Sequence, residues 1–252
     1  MDGRSTPLIV AHRGGMGEAC ESTRESFASA AARGATGVEL DVRKSADGVL
    51  VVHHDPTLDR TAGVALSIAS ATWEQLATIR LPCGTHEASL ARLEEVLAVT
   101  EGLACSIDIK DDDGPSGDLE ARVIATLTDA GALERCVVAS FHRGVLERVR
   151  SRWPGVRTTA APSEVAAWIA GSRQRRPPWR VLSVPRSYRG VPLLTERRVR
   201  DAHALGCEVW VWTINDVAEA TFLDSLGVDA IITDVPGLLS RALGRSSRQA
   251  RH

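Results

Sequence analysis

Three short stretches concentrate side chains that a purely structural reading does not want. They are Ala11-His12-Arg13-Gly14-Gly15, Glu39-Leu40-Asp41 and Ser106-Ile107-Asp108-Ile109-Lys110. Each closes or interrupts an apolar run, so charge alternates with hydrocarbon where a strand is expected. Glu39, Asp41 and Asp108 offer only oxygen ligands, the choice of a hard cation such as Ca²⁺ or Mg²⁺. A cluster of three carboxylates repels an anionic substrate unless a divalent ion lies among them. A bland reading stands beside this one: a strand-end Glu-x-Asp can be a structural ion pair, with Arg13, Arg43 and Lys110 as partners. A single histidine after a strand, such as His12, is ordinarily a capping or surface residue. Convergence of these groups at several strand ends is what favours chemistry.

The elements that must position them follow from periodicity. Strand candidates are Leu8–Ala11, Gly37–Val42, Val49–His53, Leu103–Ile109, Cys136–Ser140, Val156–Ala160, Arg180–Val184, Glu208–Trp212 and Asp229–Thr233. Helical patterns lie between most of them, at 22–33, 89–100, 118–131, 143–152, 163–171, 195–205, 216–226 and 236–243. Alternating strands and helices predict βαβ units and a parallel sheet. The link from Val42 to Val49 is too short for a parallel crossover and carries Asp47-Gly48, a two-residue hairpin signal. Val49–His53 is therefore expected to pair antiparallel with Gly37–Val42. With the turn on Asp47-Gly48, Asp41 faces His54 and shares a sheet face with Glu39. Eight strands remain, enough to close a (β/α)₈ TIM barrel, an α/β fold of about 250 residues with its active site at the C-terminal strand ends.

The 252 residues are accordingly read as one catalytic domain over 1–244. It carries an insertion or lid at about 56–102 and ends in a flexible basic tail, 245–252. The run Arg173–Arg176 reads as a solvated loop. A net charge of −2 leaves no excess cation for phosphate backbones and argues against nucleic acid as a partner. No stretch nears 18 uncharged apolar residues, so no stable membrane insertion is expected, and the N-terminal apolar run is too short for a signal peptide. Five scattered cysteines, never in CxxC spacing, read as reduced thiols of a cytoplasmic protein.

The stretch from AHRGG through CESTRESFASAAARGATGVELDVRKSADGVLVVHHDPTLDRTAG resembles the N-terminal signature of the glycerophosphodiester phosphodiesterase family. The similarity continues in SLARLEEVL, SIDIK, HALGCEVWVWTIND and GVDAIITDVPGLL, loosening between about 112 and 200. The resemblance implies a (β/α)₈ barrel enzyme, a phosphoric diester hydrolase. Its small-molecule glycerophosphodiester substrate would yield glycerol 3-phosphate and an alcohol. It implies His12 and His54 as the acid–base pair, with Glu39, Asp41 and Asp108 holding the divalent metal. Arg13 and Lys110 would neutralise the phosphate and Trp212 would wall the substrate, with Glu21 and Asp55 as supporting groups. Two departures stand out: the family's Pro-Glu-Asn is Cys20-Glu21-Ser22 here, and its usual Glu two residues before the Lys is Asp108.

The residue types suit such a reaction. A phosphodiester monoanion repels nucleophiles, and a bound divalent ion offsets that charge. One imidazole can take a proton while the other gives one. The glycerol 2-hydroxyl is the expected first nucleophile, giving a cyclic phosphate that water opens. Two other readings remain: a lysophospholipase D or sphingomyelinase D-type lipid phosphodiesterase, and a non-catalytic barrel that binds phosphodiesters. His53, His86 and His203 are expected in packing or surface roles, as is His142, for which a place at the barrel mouth is the alternative; Asp234 matches a family position and equally suits an N-cap of the last helix.

Overall fold

The computed structural model describes residues 6–171 and 177–244. The Arg173–Arg176 run and the tail from 245 lie outside the described residues. Parallel strands and helices alternate along the chain: β1 (Leu8–His12), α1 (Arg24–Ala30), β2 (Gly37–Lys44), β3 (Leu50–Val52), α2 (Leu93–Val99), β4 (Ala104–Ile109), α3 (Asp118–Asp129), β5 (Cys136–Ala139) and α4 (Arg143–Arg152). After Thr158-Thr159 come α5 (Pro162–Ile169), β6 (Val181–Pro185), α6 (Glu196–Ala204), β7 (Glu208–Trp212), α7 (Val217–Leu226), β8 (Ala230–Thr233) and α8 (Pro236–Ala242).

The sheet runs β5-β4-β2-β1-β8-β7-β6. Two single-residue parallel bridges, Val138 to Thr158 and Thr159 to Val181, join its two ends. Thr158-Thr159 is thus the eighth stave, reduced to two residues, and the fold is the expected TIM barrel.

Strand alternation sorts the side chains. Val38, Leu40 and Val42 of β2 and Cys105, Ile107 and Ile109 of β4 face outward into a core shared with α1–α4. Ile9, Leu182, Val209 and Ile231 join the corresponding core of the opposite side. Residues one step away point into the barrel, because successive side chains take opposite faces. Val10, Val137, Val181, Trp210, Ala230 and Ile232 plug that interior with hydrocarbon. The inward positions of β1, β2 and β4 are instead His12, Glu39, Asp41, Ser106 and Asp108. Parallel register stacks His12 beside Glu39 and Ser106, then Asp41 beside Asp108 and Ala139.

The β2–β3 hairpin differs by one residue from the expected register. Val42 pairs with Val52 and Lys44 with Leu50, so the His53 amide, not that of His54, bonds to Asp41 O at 3.0 Å. The turn is longer than two residues, with Ser45 Oγ accepting from the Val49 amide at 2.9 Å. Strand β3 ends at Val52, and His54 sits on the following loop, released from strand alternation. Between β3 and α2 the chain forms two short hairpins, two short α-helices and one 3₁₀ turn. Leu58, Ile68, Leu76 and Leu81 pack there against Val51 as a separate small core.

The cysteine expectation also fails in part. Cys20 and Cys83 form a disulfide across 63 residues, with Cα atoms 5.5 Å apart. Cys105, Cys136 and Cys207 are free and buried. Sequence spacing could not show that the loop after β1 meets the Arg80–Cys83/His86–Ser89 hairpin. Disulfides are rare in the cytosol, so the cysteine argument for a cytoplasmic location falls away. Among the described residues no helix is long and apolar enough to cross a membrane.

Candidate active site

A cavity of about 540 Å³ opens at the C-terminal ends of the strands. It gathers His12, Arg13, Glu39, Asp41, His54, Asp108 and Lys110 on one side and Trp212 on the other. Every charged or imidazole lining group comes from β1, β2, β4 or the segments directly following β1, β3 and β4. The wall from β5 to β8 supplies hydrocarbon, aromatic rings and hydroxyls.

Each histidine is held by a carboxylate. His12 Nδ1 lies 2.6 Å from Asp234 Oδ1, and His54 Nδ1 lies 2.6 Å from Asp55 Oδ1. Donation from Nδ1–H to each carboxylate leaves Nε2 as the nitrogen for proton transfer. Burial alone draws the His12 pKa down, but the Asp234 hydrogen bond and the Glu39 charge outweigh it, so it stands above the ordinary value. Asp55 is raised by burial, yet its bonds to His54 and Arg60 bring it down to about 2.

Of the two readings open for Asp234, the helix cap is not the one the structure shows. The N-cap position of α8 is Val235, and Asp234 instead joins His12 and Asn215, whose Nδ2 donates to Oδ2 at 2.6 Å. A signal existed: in a closed barrel the last strand neighbours the first, and Thr233 pairs with Ala11.

The loop after β1 bends sharply under His12. Arg13 takes φ 49°, and Gly14, at φ 82°, would push a Cβ to 2.3 Å from Ser26 Oγ, so only glycine fits there. This turn lets the Arg13 amide donate to Glu39 at 3.3 Å and its Nη1 to Glu21 at 3.0 Å. Arg13 Nε lies 3.3 Å from Asp41 Oδ2 yet makes no hydrogen bond, a buried donor left without an acceptor. Beyond Glu21 stands Arg60, which sequence reasoning missed. Its guanidinium binds both Glu21 oxygens and, through Nε, Asp55 at 2.5 Å.

Lys110 Nζ lies 2.7 Å from both Asp41 and Asp108. Burial lowers its pKa, but those two charges more than reverse that. Among the described residues no group of three or more histidine, cysteine, aspartate or glutamate side chains is arranged to hold a metal ion; the Lys110 ammonium stands between Asp41 and Asp108. The donor chemistry nevertheless fits a hard cation. Asp41 Oδ2 and Asp108 Oδ1 are buried and accept no hydrogen bond. Burial first, and then the neighbouring Asp41 charge, push Glu39 up to about 8.

The other histidines lie apart. His53 is buried and bonded to Asp55 O at 3.0 Å and Thr61 Oγ1 at 2.9 Å. His142 bonds to the Lys110 carbonyl at 3.2 Å, and His203 to Asp229 at 2.8 Å. His86 is exposed on its hairpin.

A closed (β/α)₈ barrel with paired imidazoles, buried carboxylates and two cations at its C-terminal mouth defines an enzyme of anionic esters. The model of the glycerophosphoryl diester phosphodiesterase family matches residues 12–238. A glycerophosphodiester phosphodiesterase of Bacillus altitudinis is 28% identical over 240 residues, covering 90% of this chain and 94% of its own length. The solved phosphodiesterase of Oleispira antarctica, in complex with the product sn-glycerol-3-phosphate, shares the fold at TM-score 0.79 and 24% identity, covering 94% of this chain and 97% of that one. A glycerophosphodiester phosphodiesterase from Agrobacterium tumefaciens superposes at TM-score 0.77 with 25% identity, over 93% and 99% of the two chains. The chain belongs to the glycerophosphoryl diester phosphodiesterase family.

Proposed function

We propose that this protein, as one catalytic domain, hydrolyses glycerophosphodiesters to glycerol 3-phosphate and an alcohol, with His12 and His54 as the acid–base pair. The observation that carries the reading is two carboxylate-held imidazoles, Asp234–His12 and Asp55–His54, lining one cavity with Arg13 and Lys110. The relatives' names point to the same substrate class.

Glu39, Asp41 and Asp108 would hold a divalent cation, Ca²⁺ or Mg²⁺. When bound, it supplies charge neutralisation and polarisation of a non-bridging phosphate oxygen. Arg13, whose side chain lines the cavity, would bring its guanidinium charge to the phosphate, and Lys110 adds a point charge. Trp212 walls the opposite side. One imidazole Nε2 takes the proton of the glycerol 2-hydroxyl as its oxygen bonds to phosphorus. The other imidazolium gives its proton to the departing alkoxide, which leaves as the alcohol. The resulting cyclic phosphate is opened by water with the two roles exchanged, which restores both protonation states.

Turnover of glycerophosphocholine with divalent ions tests this. His12→Ala and His54→Ala are each expected to lose roughly 10²–10⁴-fold in kcat, and a chelator to abolish the wild-type rate. Full metal-dependent turnover by both single variants would overturn the acid–base assignment, and full activity in chelator would overturn the cation.

A further inference from the structure

The two imidazoles of the site are secured by different means. His12 meets Asp234, whose other oxygen accepts from the neutral amide of Asn215. His54 meets Asp55, whose other oxygen accepts from the guanidinium Nε of Arg60 at 2.5 Å. The same guanidinium reaches Glu21, donating from Nη1 to Oε1 and from Nη2 to Oε2 at 3.1 Å. Glu21 is itself fixed by Arg13 Nη1 at 3.0 Å. A chain of charge-assisted hydrogen bonds thus runs from His54 through Asp55 and Arg60 to the loop after β1. Arg60 is not among the residues that line the cavity.

His54 needs such support because strand β3 ends at Val52, and ladder pairing no longer aims its side chain. Its backbone is pinned separately: the His54 carbonyl accepts from Arg43 Nε and Nη2 at 2.9 and 2.7 Å. The ring takes its orientation from Asp55, and the Asp55 carboxylate from the planar fork of Arg60. Burial alone draws the Asp55 pKa up, but its bonds to His54 and Arg60 outweigh that, so it remains an anion that accepts from Nδ1–H. A guanidinium as exposed as that of Arg60, at 47%, adds only modestly to stability through its ion pairs. Orientation is the larger effect, since a misplacement of about 1 Å at a reacting group can cost about 100-fold in rate. We propose that Arg60, anchored on Glu21, is a positioning residue that aims the His54 imidazole by holding Asp55. The short helix Asp59–Ala62 then serves turnover without touching the substrate. The proposal rests on the phosphodiesterase reading, in which His54 transfers a proton.

The experiment measures glycerophosphocholine turnover by Arg60→Ala, Arg60→Lys, Asp55→Asn and the double variant Arg60→Ala/Asp55→Asn. Arg60→Ala is expected to lower kcat about 10- to 100-fold with KM within about threefold of wild type. Arg60→Lys should recover only part of that loss, because an ammonium cannot present parallel donors to two carboxylates. The double variant should be within about threefold of Asp55→Asn, since both changes break one link. Guanidinium ion at millimolar concentration should restore part of the rate to Arg60→Ala and none to the double variant. An unchanged kcat in Arg60→Ala, or losses that multiply in the double variant, overturns the proposal and leaves the phosphodiesterase reading intact. The ring is also read without turnover, from the nitrogen-15 and proton signals of the His54 and His12 imidazoles. In Arg60→Ala the His54 signals are expected to shift and those of His12 to stay. If the wild type turns over no diester, the catalytic reading falls and these signals decide the positioning: a shift confined to His54 supports it, and unchanged signals overturn it.

Discussion

Asp234 fixes the tautomer of His12 by accepting at 2.6 Å from Nδ1, and Asn215 fixes Asp234 in turn. On the proposed reading it would position an imidazole, since Asp234 is not among the residues that line the cavity. Asp234→Asn is therefore expected to lower kcat by roughly 10-fold or more with little change in KM, and to move the low-pH limb of the rate profile. An unchanged pH profile would mean that the carboxylate only packs. The charged residues themselves were legible in sequence because each broke an apolar strand: Glu39, Asp41 and Asp108 have no other reason to sit between Val38, Leu40 and Ile107. Asp234 was not, because its role needs β8 beside β1, which exists only after the barrel closes. A carboxylate before a proline-led helix looks the same whether it caps or orients.

Alternation of strand and helix was enough to place the elements, and seven of the barrel's eight staves match expected strands closely. What periodicity could not supply is the geometry of irregular chain. The β2–β3 turn holds one residue more than Asp47-Gly48 alone would give, which shifts His54 off the strand. The hairpins between β3 and α2 show no alternation long enough to read. Their function lies in two attachments to the site. Arg60, on the short helix Asp59–Ala62, joins Asp55 to Glu21. Asp55 folds with its pKa near 2, below the ordinary aspartate value of about 4. A carboxylate depressed on folding stabilises the protein above its unfolded pKa and loses that contribution as pH falls toward the folded one. The Tm difference between wild type and Arg60→Ala should thus be full above about pH 4 and shrink below it. A gap that is constant with pH would assign Arg60 to packing alone. The second attachment is the Cys20–Cys83 bond, which closes a loop of 63 residues. Chain entropy assigns such a loop about 4 kcal/mol. Cys83→Ser is expected to lower Tm by roughly 10 °C, and reductant to do the same to the wild type. Equal melting with and without reductant would contradict that tether.

The molecule as a whole carries a charge of only −2, so no broad basic field gathers an anionic substrate. On the proposed reading, recognition would rest on Arg13, Lys110 and a cation held by the carboxylates. The barrel divides by sector, with charge on the side of β1, β2 and β4 and hydrocarbon on the side of α5 and β6. That division was invisible in composition, where apolar and charged residues are globally ordinary. It arises because inward positions alternate along each strand and only some strands carry acidic residues there.

Thr158-Thr159 closes this ring with one bridging residue toward each neighbour, where β2 and β4 share six paired positions. A cylinder parts along its shortest seam. Amide hydrogen exchange should accordingly be fastest at the barrel positions Thr159 and Ala160, whose N–H groups bond to Val138 O and Val181 O at 3.0 and 2.8 Å. Uniform protection around the barrel would show that the seam does not open first. The same seam leads directly into α5 (Pro162–Ile169), so exchange at Thr159 and Ala160 is expected to report on the attachment of that helix as well as on the closure of the ring.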